Sequence, residues 1–175
     1  MIEVIVLGRG GQGAVTAAQL IAIAAGYDGK QSQAFPMFGV ERRGAPVQAF
    51  ARISDKTINI RSHVYKADFF IVLDPSLLRD FDADEILKDK AVVVINSKEA
   101  KEIKGHKVFC VDATGIALKI FGRDITNTMM VAAFAEFTGV LKEKSILRAV
   151  GDVFEGDLAK KNQCAIDEMY NVVRK

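Results

Sequence analysis

The sequence predicts an α/β chain, a layered Rossmann-like fold with a mainly parallel sheet plus an antiparallel hairpin. Three observations carry that expectation. The branched run Glu3–Leu7 leads through a glycine-rich turn into the Ala- and Leu-rich stretch Ala14–Ala25, the strand–turn–helix opening of such folds. Phe69–Leu73 and Ala91–Ile95 are continuous apolar runs, as strands covered on both faces are. Helical segments alternate with these strands and close the chain, the order that layers helices on a sheet.

Each element has a local reason. The first helix, Ala14–Ala25, is expected to stop at Gly26, because glycine favours helix ends. A long loop, Ser32–Val47, follows it; long ordered connections are usually functional. Val47–Ile53 alternates loosely, Ser54-Asp55-Lys56 is a turn, and Thr57–Arg61 is a second strand. That pair predicts the antiparallel hairpin. Lys107–Val111 is a further strand, and Asp112-Ala113-Thr114 opens a helix over Gly115–Phe121. The charges of Lys98–Lys104 alternate in sign, the pattern of a solvated helix face. Helices are expected over Thr126–Thr138, Ser145–Phe154 and Asp157–Val173, with Phe134 and Phe137 in the core.

Composition bounds the function. The 175 residues, half of them apolar and 26% charged, suffice for one globular domain over 1–175 with a sizeable core. A net charge of +2 argues against a dedicated nucleic-acid binder. Nothing approaches the ~20 uncharged apolar residues needed to cross a membrane, and no signal-peptide pattern is present. Cys110 and Cys164 are 54 residues apart, without metal-type spacing. They are expected to be reduced core thiols of a cytoplasmic protein.

The turn Gly8-Arg9-Gly10-Gly11-Gln12-Gly13 fits G-x-G-x-x-G between a strand and a helix. Glycines allow the tight turn and close backbone approach, and the helix start offers free N–H groups to an anion. A stand-alone Rossmann-like oxidoreductase binding NAD or FAD would also want an acidic residue at the end of the second strand. Here Asp28 comes too early and Glu41 sits in the loop. The glycines also suit plain packing of strand on helix. In the long loop, Arg42 and Arg43 beside Gly44 suit an anion held close to the backbone. They also suit a solvated loop or a pair with Glu41. Phe35, Met37 and Phe38 have no role in a solvated loop and suggest a surface that packs on something else.

Gly10-Gly11-Gln12-Gly13, together with Ser32-Gln33-Ala34-Phe35-Pro36, Gly39 to Pro46 and Asn127-Thr128, resembles the gamma subunits of 2-oxoacid:ferredoxin oxidoreductases. Among these it is most similar to the pyruvate form. The resemblance spans most of the chain. It implies an enzyme that converts a 2-oxoacid and coenzyme A to an acyl-CoA, with ferredoxin as acceptor. Thiamine diphosphate and iron–sulfur clusters would sit on partner subunits, because two cysteines cannot ligate a cubane cluster. The chain would then be inactive alone and would work beside alpha, beta and delta subunits, with ferredoxin reached through the complex. Pyruvate, 2-oxoisovalerate and 2-oxoglutarate all remain open as substrates. A purely bracing role against the thiamine-binding partners is a further reading.

The resemblance gives this chain coenzyme A docking. Gly10, Gly11, Gln12 and Gly13 would supply backbone donors, and Arg42 and Arg43 forked cations for its phosphates. Arg123 would close the pocket from the other side, or pair with Asp124. Asn127 would touch the ligand, or cap its helix. No catalytic residue and no metal ligand is assigned to this chain. His63 and His106 are expected at the surface. Asp74 ends a central strand, where open α/β sheets place ligands, but is expected to cap the following helix instead; Ser76 has no evident base and is not a nucleophile candidate.

Overall fold

The computed structural model describes residues 1–37 and 44–175. Phe38, Gly39, Val40, Glu41, Arg42 and Arg43 lie outside the described residues. Among the described residues one sheet of six strands carries the fold: β1 (Ile2–Arg9), β2 (Gln31–Pro36), β3 (Pro46–Ser54), β4 (Ala67–Val72), β5 (Leu87–Asn96) and β6 (Lys107–Val111). Their spatial order is β2-β3-β1-β4-β5-β6. From β1 to β6 the neighbours run parallel, while β3 runs antiparallel to both β1 and β2.

The antiparallel part differs from the expectation in its partner. Ser32–Pro36, read as loop, lies within strand β2 and pairs with β3 in the register Phe35↔Phe50. Thr57–Arg61 forms no strand. Its neighbourhood is held instead by Arg52, whose guanidinium donates to the carbonyls of Ser62 and His63 at 2.8 and 3.1 Å.

Five long helices, α1 (Ala14–Tyr27), α3 (Ala113–Phe121), α4 (Asn127–Thr138), α5 (Glu143–Val153) and α6 (Gly156–Val173), share one core with the sheet residues Val4, Val6, Ala49, Ile71 and Val94. The alternate residues Ile5, Leu7, Phe50, Phe70 and Val93 form a second core on the other face. That face is covered by a 3₁₀ helix (Pro75–Asp80), the short α2 (Ala83–Ile86) and irregular segments. The period-2 alternation of a strand sorts one sequence onto these two faces.

Several local expectations need correction. Helix α1 runs through Gly26 to Tyr27, and the left-handed residue that follows is Gly29, φ 78°. Lys98–Lys104 is irregular rather than helical. Phe35 is not loose: its ring lies 5.4 Å from that of Phe50, with the Arg52 guanidinium 5.3 Å from its centroid. Met37 is 47% exposed. Cys110 is half-buried and Cys164 is exposed, so neither is a core thiol. Helix α6 turns the Cys164 side outward while Ala165, Ile166 and Met169 face the core. Among the described residues no helix is long and apolar enough to cross a membrane.

Candidate functional site

The site begins where β1 ends. Gly11 and Gly13 have φ of 97° and 80°, left-handed values that favour glycine. Gly13 starts α1, which has no side-chain cap. The first intrahelical bond seen at that end is from Ala17 N–H to the Gly13 carbonyl, 2.9 Å. The N–H groups of the first turn therefore face outward, and the helix dipole adds partial positive charge there. A shallow cavity of about 230 Å³ lies over this turn, lined by Arg9, Gly10, Gly11, Gly13, Ala14, Val15 and Val47.

The far end of the long loop pairs with this turn. Gly10 N–H donates to the Ala45 carbonyl at 2.9 Å, and Gly44 N–H to the Gly10 carbonyl at 3.2 Å. The register Arg9↔Pro46 of β1 and β3 continues into these two bonds. Two stretches more than thirty residues apart in sequence thus form one surface. Gln12 serves the turn itself: its Oε1 accepts the Arg9 N–H at 2.7 Å.

Asn127 enters from α4. It is 5% exposed and packs on Gly13; a Cβ at Gly13 would come within 2.5 Å of Asn127 Nδ2. That nitrogen donates weakly to the Gly13 carbonyl at 3.5 Å, and Oδ1 is buried without a partner. Asn127 is the first residue of α4, after the N-cap Thr126, so it does not cap its helix. Two helix starts, each without a side-chain cap, therefore meet at Gly13 and Asn127.

Of the remaining expected residues, Arg123 is exposed in the turn before α4. Its neighbour Asp124 accepts from Thr114 Oγ1 at 2.9 Å rather than pairing with it. Arg42 and Arg43 lie outside the described residues. Asp74 caps the 3₁₀ helix as expected, accepting Ser76 N–H at 2.9 Å. His63 is exposed and lies against Tyr65, with centroids 4.0 Å apart and the rings tilted by 47°; His106 is half-buried.

Two residues that sequence reasoning did not single out organise the strand ends. Arg9 donates from Nε to Asp74 at 2.7 Å, from Nη1 to the Gly44 carbonyl at 3.0 Å, and from Nη2 to Ser76 Oγ at 2.8 Å. Asn96, at the end of β5, donates to the Leu73 carbonyl and accepts the N–H groups of Ala113 and Thr114. An asparagine closing the apolar run Ala91–Ile95 was the available signal, since buried polar groups are hydrogen-bonded. Asn96 lines a second cavity of about 350 Å³ with Asp74, Lys98, Glu99, Asp112 and Asp124. Of its carboxylates, Asp74 already has a cationic partner in Arg9 and Asp112 in Lys98.

Cys110 lies on β6 and Cys164 on α6. Among the described residues no group of three or more His, Cys, Asp or Glu side chains is placed to hold a metal.

A mixed sheet of this order with a glycine-rich, uncapped helix start defines a Rossmann-like α/β protein. Comparison with known proteins narrows this further. The family model described as pyruvate ferredoxin/flavodoxin oxidoreductase matches residues 3–172, and the chain belongs to that family. It is 51% identical over 175 residues to the pyruvate synthase subunit PorC of Methanocaldococcus jannaschii, covering 100% of this chain and 98% of the relative. It is 50% identical to the pyruvate/ketoisovalerate oxidoreductases common subunit gamma of Thermococcus kodakarensis, covering 98% and 96%. The crystal structure of pyruvate oxidoreductase subunit PORC from Thermotoga maritima superposes with a TM-score of 0.81 at 32% identity, covering 97% and 95%. The chain is accordingly a gamma-type subunit of an oxidoreductase.

Proposed function

We propose that this chain is the gamma subunit of a multi-subunit pyruvate:ferredoxin oxidoreductase and that its local task is to dock coenzyme A. The pairing of Gly10 with Gly44 and Ala45 carries the reading, because it joins the glycine turn to the loop that bears Arg42 and Arg43 in sequence. Coenzyme A carries a pyrophosphate and a 3′-phosphate. The free N–H groups at Gly13–Val15 suit one phosphate, and the forked guanidinium groups of Arg42 and Arg43 suit others. Asn127 Oδ1 is an unpaired acceptor, and leaving it so costs about 1–3 kcal/mol. It suits a donor on the ligand, such as a pantetheine amide N–H, rather than a phosphate. Arg123 stands exposed four residues before Asn127 and is proposed as an outer contact.

Thiamine diphosphate and iron–sulfur clusters, on alpha, beta and delta partners, supply decarboxylation and electron transfer to ferredoxin. The two thiols of this chain are too few for a cluster of four thiolate ligands. The chain is proposed to be inactive alone, to work in the cytoplasm and to brace the thiamine-binding chains as one domain. The relative from Thermococcus kodakarensis, named for both pyruvate and ketoisovalerate enzymes, favours a second reading. In that reading one gamma subunit serves more than one 2-oxoacid, whose identity is fixed by partner chains. A nicotinamide or flavin site is disfavoured, because Asp28 is committed elsewhere: it accepts Ser145 Oγ at 2.7 Å.

The test is the reconstituted complex. Losing one charge-assisted contact costs about 1.5–3 kcal/mol, roughly ten- to a hundredfold in binding. Arg42→Ala or Arg43→Ala should raise the KM for coenzyme A by that factor. Cluster reduction by pyruvate without coenzyme A should persist in a single turnover. Equal damage to both steps would assign the loop to assembly, and an unchanged KM would refute docking.

A further inference from the structure

We infer that Arg9 is a positioning residue that sets coenzyme A affinity by fastening the end of the long loop to the glycine turn; this rests on the docking reading above. Arg9 occupies a variable place inside a glycine motif, where nothing in the spacing demands an arginine. Its guanidinium nevertheless spends three donors on three residues of two chain segments, Asp74 with Ser76 and the loop end at Gly44. Nε meets Asp74 Oδ2 at the end of β4, Nη2 meets Ser76 Oγ, and Nη1 meets the Gly44 carbonyl. Ser76 Oγ in turn donates to Asp74 Oδ1 at 2.6 Å, which closes a ring of side chains behind the guanidinium.

The geometry makes the ring a base and Gly44 the object held. Asp74 is fixed twice by Ser76, through the backbone N–H and the hydroxyl. Gly44 has φ of 83°, and its N–H is bound to Gly10. The Arg9 bond therefore takes the carbonyl of a residue whose N–H is already held by the turn. Both polar groups of Gly44 end on Arg9 and Gly10, adjacent residues. A planar fork can satisfy the carboxylate, the hydroxyl and the carbonyl together; a lysine, with one compact head on a flexible stem, cannot. No atom of coenzyme A need touch Arg9 for this to matter, because a displacement of about 1 Å at Gly44 disturbs the glycine turn to which its N–H is bound.

The experiment uses the reconstituted complex and reads coenzyme A dissociation constants by calorimetry, steady-state KM for coenzyme A and for pyruvate, and the melting temperature. Arg9→Lys and Asp74→Asn should each weaken coenzyme A binding about tenfold. The pyruvate KM and coenzyme A-independent cluster reduction should be unchanged. The double variant should be no worse than the worse single one, because both substitutions open the same ring. Additive effects, or equal losses for pyruvate and coenzyme A, would show a merely structural role and overturn the inference. Unchanged coenzyme A binding in both variants while Asn127→Ala weakens it would overturn the Arg9 role and leave docking standing. Unchanged binding in all three would overturn docking itself.

Discussion

Asp28 and Ser145 are 117 residues apart in sequence and joined by a 2.7 Å hydrogen bond. The other oxygen of Asp28 accepts the Lys142 N–H at 2.9 Å. Helix α5 has no side-chain cap of its own, so the end of α1 supplies an acceptor for its start. The negative charge also favours the positive end of α5. Asp28→Ala should destabilise the chain by about 1–3 kcal/mol, lowering Tm by roughly 2–10 °C at this size. Thermal melts check this, and the coenzyme A KM of the complex should not move. A selective KM effect would return Asp28 to the ligand site.

Arg52 is 1% exposed and binds Glu3 at 3.1 Å as well as two carbonyls of the segment after β3. Glu3 also pairs with Lys88 at 3.0 Å. Replacing Arg52 by Met leaves a carboxylate short of one partner and two carbonyls unpaired, a loss of about 3–5 kcal/mol by analogy with broken buried pairs. Hydrogen exchange should quicken around residues 57–66 before it does in β4 or β5. Uniform acceleration would mean that Arg52 supports the whole sheet rather than this segment.

Gly13→Ala combines a disfavoured φ with a Cβ 2.5 Å from Asn127 Nδ2. The backbone part should cost about 1–2 kcal/mol, and the clash adds to it. Asn127→Ala should remove the clash part only. In denaturant titrations of the two single variants and the double, a positive rescue by Asn127→Ala is therefore expected. Strict additivity would mean that the side chain of Asn127 swings clear.

Cys164 is exposed and Cys110 half-buried. Thiol alkylation depends on access as well as on thiolate fraction, so iodoacetamide should modify Cys164 about tenfold faster or more. Mass spectrometry of timed samples reads the order directly. Equal rates would show that β6, at the edge of the sheet, opens readily.

Stability should fall at both ends of the pH range for separate reasons. Burial pushes the Asp74 carboxyl up, but hydrogen bonds from Ser76 and Arg9 outweigh this and hold it below the ordinary 3.8. Its contribution is present above about pH 3.8 and is lost as pH falls through the lower folded value. Burial pushes the Lys88 amine down, but Asp68 and Glu3 outweigh this and hold it above the ordinary 10.5. Its contribution is full below about pH 10.5 and is lost as pH rises through the higher folded value. Asp74→Asn should flatten the acid limb of a Tm profile and Lys88→Met the alkaline limb. Either substitution acting on the opposite limb would contradict the assignment.

The parallel half of the sheet was legible because burial on both faces writes itself as unbroken apolar runs, as in Phe69–Leu73 and Ala91–Ile95. The edge strand β2 was not. Gln31-Ser32-Gln33-Ala34-Phe35-Pro36 is polar and ends in proline, features that suit a sheet edge but resemble a loop. Thr57–Arg61 misled in the opposite sense: its branched residues mimic a strand, while the buried guanidinium of Arg52, a tertiary feature, engages the carbonyls just beyond it. At the site, the glycine turn could be read, and the resemblance brought it and the long loop to one ligand, but the pairing of Gly10 with Gly44 and Ala45 is visible only in the structure. Arg9 could not be read, because its role depends on Asp74 and Ser76 arriving from another strand.

The antiparallel pairing of β1 with β3 has a consequence for how the chain tolerates change in length. Both ends of the 37–45 connection are pinned, Met37 N–H to the Gln48 carbonyl and Gly10 N–H to the Ala45 carbonyl, each at 2.9 Å. Added or deleted residues between them alter closure entropy only slowly with length and leave the anchors in place. A single insertion within Pro46–Ser54 would instead exchange the two faces of β3. It would send Phe50 toward the helices and Ala49 and Ala51 away from them, and would draw Gly44 off its partners. Chain length between the two anchors can therefore change without shifting the register of β3, whereas length within β3 cannot.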